Sequence, residues 1–355
     1  MIRTFIAMSF ILYAPSFAQN TLFSEYEKKH FKSLTQLTFG GDNAEAYFDK
    51  TGTKITFQST NENWNIPCDQ IFLLDLKKTK NKDLSKLSSF QRISTGKGRT
   101  TCAYFMPDGK HILFASTHHK MDSCPPKPHI KGKYVWPLYP EYDIFVADLK
   151  GNIIKQLTNT NGYDAEATVS PKGDKIVFTS TRSGDIELWV MNVDGTNPVQ
   201  ITHELGYDGG AFFSPDGSKI VFRASRPKTN EEIKEYKELL AQNLVAPTHM
   251  EIFICDADGK NIQQITHLGK ANWCPFFHPS GQKIIFSSNH HSQRGFDFQL
   301  YMINTDGTGL EQITTESNFN AFPMFSPDGK KLIFSSNRHN KDTHDTNLFL
   351  AEWKD

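Results

Sequence analysis

Phe213-Ser214-Pro215-Asp216-Gly217-Ser218-Lys219-Ile220-Val221-Phe222 reads as a strand, a tight turn and a second strand. Proline presets φ at the second turn position, aspartate bonds back to its own backbone, and glycine takes a positive φ. The flanks are aromatic and β-branched, as strands prefer. The phrase recurs at Ser326-Pro327-Asp328-Gly329, His278-Pro279-Ser280-Gly281, Ser170-Pro171-Lys172-Gly173 and Met106-Pro107-Asp108-Gly109. A degenerate copy, Asp49-Lys50-Thr51-Gly52, comes first. Each copy leads into an apolar strand ending in phenylalanine: Phe57, Phe114, Phe178, Phe222, Phe286 and Phe334. Six copies make this a repeat protein.

Each repeat has four strands. One ends in a Gln-Leu-Thr-like phrase, as at Gln36-Leu37-Thr38 and Gln312-Ile313-Thr314. Two flank the Pro-Asp-Gly turn, and the last alternates apolar residues before a second turn, usually Asp-Gly. The chain opens on a Gln-Leu-Thr strand and ends on a last-type strand, Asn347 to Trp353. The final repeat therefore lacks its outer strand, and the first residues of the domain supply it. This phase shift predicts an all-β fold, a six-bladed β-propeller of four-stranded blades closed by pairing of its terminal strands. The expected organisation is a signal peptide at 1–18, a mobile leader at 19–32 and the propeller at 33–355.

The signal peptide follows from Arg3, an apolar run from Phe5 to Tyr13 and the small-residue exit Ser16-Phe17-Ala18. That run is too short to span a membrane, and no cysteine stands at the cleavage site to carry a lipid. A periplasmic or secreted location is expected. The chain holds 39 basic and 39 acidic residues, so no positive excess favours nucleic acid. Its five cysteines show no zinc-like spacing. Cys255 reads as a buried thiol. An oxidising compartment permits a disulfide among Cys68, Cys102 and Cys124, without selecting the pair.

The long insertions all fall on one rim, opposite the Pro-Asp-Gly turns, and long loops on a rigid scaffold commonly carry function. The largest span 117–143 and 223–251. The first is rich in proline and aromatics and reads as an ordered cover. The second contains a helix from about Asn230 to Leu244, opened by a Thr229–Glu232 capping box.

Aligning the repeats on the turn gives a column six residues earlier: Asn43, Thr100, Asp164, Asp208, Asn272 and Asn320. Two positions on, the column reads Glu45, Cys102, Glu166, Gly210, Cys274 and Phe322. On innermost strands both would form a polar collar at the channel mouth. Its carboxylates could hold a calcium ion or a cationic peptide group; otherwise they bond local backbone amides, and no cofactor is required. His118, His119 and His290 sit on the same rim, with Trp136, Arg223 and Arg226 as further contacts there. Adjacent histidines point apart and chelate poorly.

There is no GxSxG elbow, and His203-Glu204 is not followed by the second histidine of HExxH. A non-catalytic monomer that binds a protein or peptide is therefore expected. The alternatives are a hydrolase or lyase using the collar carboxylates and a cation, a propeller serving an exported peptidase in trans, and a carbohydrate binder.

The repeated phrase, Ser-Pro-Asp-Gly-Lys, then Ile-Val-Phe, then Asp-Gly and Gln-Leu-Thr, resembles the repeat of the TolB-type propellers across nearly the whole chain. TolB is an exported scaffold of the Tol–Pal envelope system. The resemblance implies a periplasmic protein-binding role, with a peptidoglycan-associated lipoprotein or another envelope protein held at the channel mouth. TolB's N-terminal α/β domain has no counterpart before the first repeat here.

Overall fold

The computed structural model describes residues 22–340 and 343–354. Six four-stranded antiparallel sheets form the blades. Their innermost strands are Asp42–Phe48, Thr100–Phe105, Asp164–Val169, Asp208–Phe213, Asn272–Phe277 and Asn320–Phe325. The ring closes as the phase shift requires. Phe31–Gln36 pairs antiparallel with Asn347–Trp353, placing Leu34 opposite Ala351 and Thr35 opposite Leu350. Blade 6 thus takes its outer strand from the start of the domain.

The repeated words have separate structural jobs. In the turn, Asp216 accepts from the Ser218 amide at 3.0 Å, while Ser214 Oγ accepts from the Lys219 amide at 2.9 Å. The phenylalanine closing each second strand is fully buried: Phe57, Phe114, Phe178, Phe222, Phe286 and Phe334. Each such side chain contributes about 1.5–3 kcal/mol of burial, which makes this column a main source of cohesion. The hydroxyl two residues beyond each outer strand accepts an amide of the third strand, from its second residue in blades 2–6 and from Ile71 in blade 1. Thr38, Ser94, Thr158, Thr202, Thr266 and Thr314 all do so, at 2.8–2.9 Å.

Two expectations need correction. Residues 22–30 do not behave as a mobile leader. Glu27 is fully buried and ion-paired with Arg338, and Leu22 and Phe23 pack on the blade 6 core. The outer strand begins at Phe31, not after 32. The helix is also shorter than expected, Asn230–Leu240, with the Thr229–Glu232 capping box in place. Its continuation is needed elsewhere, because Leu244–Val245 turns into a strand.

That strand pairs with Trp136–Pro137 from the other large insertion, joining the two into a small sheet. Cys68 of blade 1 and Cys124 of the Pro-rich insertion form a disulfide, and Cys255 is a buried free thiol. The signal-peptide residues lie outside the described ones. No described helix is long and apolar enough to cross a membrane.

Candidate functional site

The first column does not line the channel. Asn43, Thr100, Asp164, Asp208, Asn272 and Asn320 are fully buried and tie strands together. Asp164 accepts from Arg182 at 2.8 Å and Asp208 from Arg226 at 2.7 Å. Asn43 donates to Thr346 O, Asn272 to Met250 O and Asn320 to Gln299, each at 2.9 Å. The asparagines satisfy groups across the seams between blades, and the aspartates hold arginines of their own blades, so their expected place at the mouth is wrong.

The rim histidines belong to the same framework. His118 Nδ1 lies 2.8 Å from Ser116 Oγ, and His290 Nδ1 lies 2.9 Å from Ser288 Oγ. Arg182 and Arg338 make the matching bond from Nε at the end of their own second strands. Burial lowers His118 to about 4 and lowers His290 as well, keeping both neutral. His119 meets Asp143 at 2.9 Å. Among the described residues no group of three or more His, Cys, Asp or Glu is arranged to share a metal ion.

The second column faces the axis. At Glu45, Cys102, Glu166, Gly210, Cys274 and Phe322 the innermost strand bulges and takes a left-handed φ of 51–60°. A bulge re-aims one side chain off the strand, and a non-glycine residue in that region carries strain. Six bulges at one level surround a void of about 30 Å³, completed by Arg223.

Arg223 comes from the second strand of blade 4 and donates to Glu166 of blade 3. Tyr207 Oη donates to Glu166 at 2.7 Å, and Thr179 Oγ1 and the Gly210 amide add bonds of 2.8 and 2.9 Å. A Cβ at Gly210 would come within 2.6 Å of Arg223 Nη1, and one at Gly209 within 2.5 Å of Glu166 Oε2. Trp136 lies over the guanidinium at 4.9 Å and packs on Trp273 at 5.1 Å. The joined insertions therefore stand over this end of the channel, where an open mouth was expected. Glu45 differs from Glu166. It has no ion-pair partner among the described residues, and its hydrogen-bond contact is the Cys102 thiol. Enclosure raises it to about 7, with Glu166 adding to the rise.

Two residues beyond each bulge, Tyr47, Tyr104, Thr168, Phe212, Phe276 and Met324 form a second ring. Tyr47 of blade 1 and Phe212 of blade 4 stand on opposite sides of the propeller, and their 5.5 Å ring separation means they meet at the axis. Phe212 also meets Phe276 at 5.2 Å and Tyr104 at 6.0 Å. Below this layer, on the Pro-Asp-Gly side, opens an apolar funnel of about 460 Å³. Its wall includes Tyr104, Met106, Phe276 and the turn prolines Pro107, Pro215 and Pro327. Sequence reading missed this ring, although carrying the repeat alignment two positions further exposes five large side chains in register.

Matches to the TolB beta propeller domain cover residues 139–238 and 236–349, more than half of the chain. Among solved structures, a putative TolB from Agrobacterium tumefaciens is 18% identical with a TM-score of 0.56, over 89% of this chain and 91% of that one. TolB from Acinetobacter baumannii is 16% identical with a TM-score of 0.53, over 88% of this chain and 65% of that one. An oligogalacturonate lyase in complex with manganese is 15% identical with a TM-score of 0.50, over 91% and 93%. No curated protein matches. At these identities the structural likeness speaks for the fold alone, and the family match is carried by the repeat itself. The chain belongs to the TolB β-propeller domain family.

Proposed function

We propose that this protein is an exported, non-catalytic propeller that binds a segment of an envelope protein or peptide in the funnel on its Pro-Asp-Gly face. A peptidoglycan-associated lipoprotein is one partner of this kind. The observation that carries the reading is the apolar concavity of about 460 Å³ at the end of the axis that the large insertions leave uncovered. Concave, mostly apolar sites with few polar groups are the usual form of a binding pocket. The Cys68–Cys124 disulfide supports an oxidising compartment.

The test places a photocrosslinking residue at Met106 in the funnel, or at Tyr134 or Phe296, both exposed on the insertion side. Crosslinks in envelope extract should form from position 106 to one defined protein. They should disappear when Phe276→Glu puts a charge in the funnel. Crosslinking confined to positions 134 and 296 would move the site to the other face and overturn the reading.

One observation favours a second reading, a hydrolase or lyase. Glu45, near 7 beside Cys102, sits where general acid–base chemistry works best. The void around it has room for little more than a water, so this reading needs the insertions to lift. Screening oligosaccharides and peptides for turnover that Glu45→Gln abolishes decides it.

A further inference from the structure

Charge beneath the insertions does not balance. Arg223 pairs with Glu166, whereas Glu45, on the same void, has no ion-pair partner among the described residues and its hydrogen-bond contact is the Cys102 thiol. One layer of side chains separates that carboxyl from the funnel. Tyr47 and Phe212 close the void above the layer, and Tyr104 and Phe276 floor the funnel below it. An approaching ligand therefore meets apolar walls, then an aromatic floor, then an unpaired carboxyl behind it. Aromatic rings attract cations, more strongly where water is excluded. An enclosed carboxyl without an ion-pair partner adds to that pull.

We infer that the funnel recognises a lysine or arginine side chain on an otherwise apolar peptide, its cationic head over the aromatic floor and Glu45 as its counter-charge. The inference rests on the funnel being the peptide site. The charged groups at the rim are of opposite sign and are held against the protein's own backbone. Lys50 Nζ is held by Pro107 O at 2.5 Å, and Asp49 accepts the amides of Thr53 and Lys54 at 2.8 and 2.9 Å. A bare metal ion is less suited to the site, because among the described residues of the void Glu45 is the one carboxylate without an ion-pair partner and the floor is aromatic.

The test is a selection of random peptides on the intact protein, on Glu45→Gln and on Met106→Trp, which fills the funnel without adding charge. Peptides that bind the unaltered protein but not Met106→Trp should share one basic position among apolar residues. A resynthesised lysine peptide should bind about tenfold tighter than its norleucine analogue, and on Glu45→Gln the two should agree within about twofold. Funnel-dependent peptides without a basic position, or a lysine preference that survives Glu45→Gln, would overturn this inference while leaving the funnel reading intact. If no selected peptide depends on Met106, the funnel reading falls and takes this one with it.

Should Glu45→Gln not fold, the pH dependence of the unaltered protein decides. The groups facing Glu45 are Cys102, Glu166, Arg223 and Cys274. Burial raises both thiols, Cys274 to about 12, so of the acids that burial raises around this void Glu45 is the one that changes charge near neutrality; Glu187 and Asp208, raised to about 8 and about 7, do not line it. The lysine preference should be full at about pH 8.5 and lost at about pH 5.5. A flat preference would overturn the inference.

Discussion

Arg223 donates to Glu166 across the seam between blades 3 and 4, and the missing side chains of Gly209 and Gly210 leave the space in which they meet. The pair fixes two things together. It joins neighbouring blades near the axis, and it gives Trp136 a cation to cover. The insertion sheet is thereby seated on the channel.

Gly210→Ala should destabilise the protein by roughly 1–3 kcal/mol, since φ is +60° and the new methyl would strike Arg223. Arg223→Ala should cost up to about 3–5 kcal/mol by leaving Glu166 uncompensated. Urea unfolding of both variants and of the double variant checks this. The alanine at 210 should cost less once Arg223 is gone, because the steric part of its penalty vanishes; strict additivity would contradict the geometry.

The fold was legible because each repeated word has a local physical job: turn geometry, a buried phenylalanine, a hydroxyl capping the next strand. Ring closure was legible from order alone. The site was harder to read. Asp164 and Asp208 look like axial ligands until Arg182 and Arg226, eighteen residues on, are seen to hold them. The bulges hid because only Gly210 of the six residues advertises a positive φ. The disulfide partner of Cys68 depended on how the Pro-rich insertion folds back, which no local pattern encodes.

Glu45 and Glu187 should make stability depend on pH in a defined direction. Burial raises them to about 7 and about 8, so the folded state keeps protons that the unfolded chain releases near 4.5. Their contribution is full below the unfolded value and is lost as pH rises through the folded values. Glu45→Gln should therefore be more stable than the unaltered protein at pH 8, by roughly 1–2 kcal/mol after solvent screening. The advantage should shrink toward zero near pH 4.5. Thermal melts across that range test it, and an advantage that grew on acidification would reverse the assignment.

Cys68→Ser should destabilise the fold by roughly 2–4 kcal/mol, because the cross-link closes a loop spanning 56 positions of sequence. The effect should be local as well as global. Cys124 anchors the insertion that carries Trp136, so limited proteolysis should cut within 117–143 in the variant sooner than in the unaltered protein. Dithiothreitol should reproduce both effects in the unaltered protein and change nothing in Cys68→Ser.

The contact between Glu27 and Arg338 gives the sharpest test of ring closure. Glu27 precedes the strand that completes blade 6, and its carboxylate accepts from both Arg338 terminal nitrogens at 3.1 and 3.2 Å. It also accepts the amides of Thr315 and Glu316 at 2.9 and 3.2 Å. Arg338 itself is 2% exposed and reaches Asn320 on the innermost strand of the same blade. Glu27→Ala would leave that guanidinium buried without a counter-charge and two amides without an acceptor, at a cost of roughly 3–5 kcal/mol. Glu27→Gln keeps the hydrogen-bonding shape without the charge and should cost less. Hydrogen exchange should show the loss first in Phe31–Gln36 and Asn347–Trp353, whose pairing closes the ring. Equal loosening of blades 2 and 3 would mean that closure does not depend on this residue.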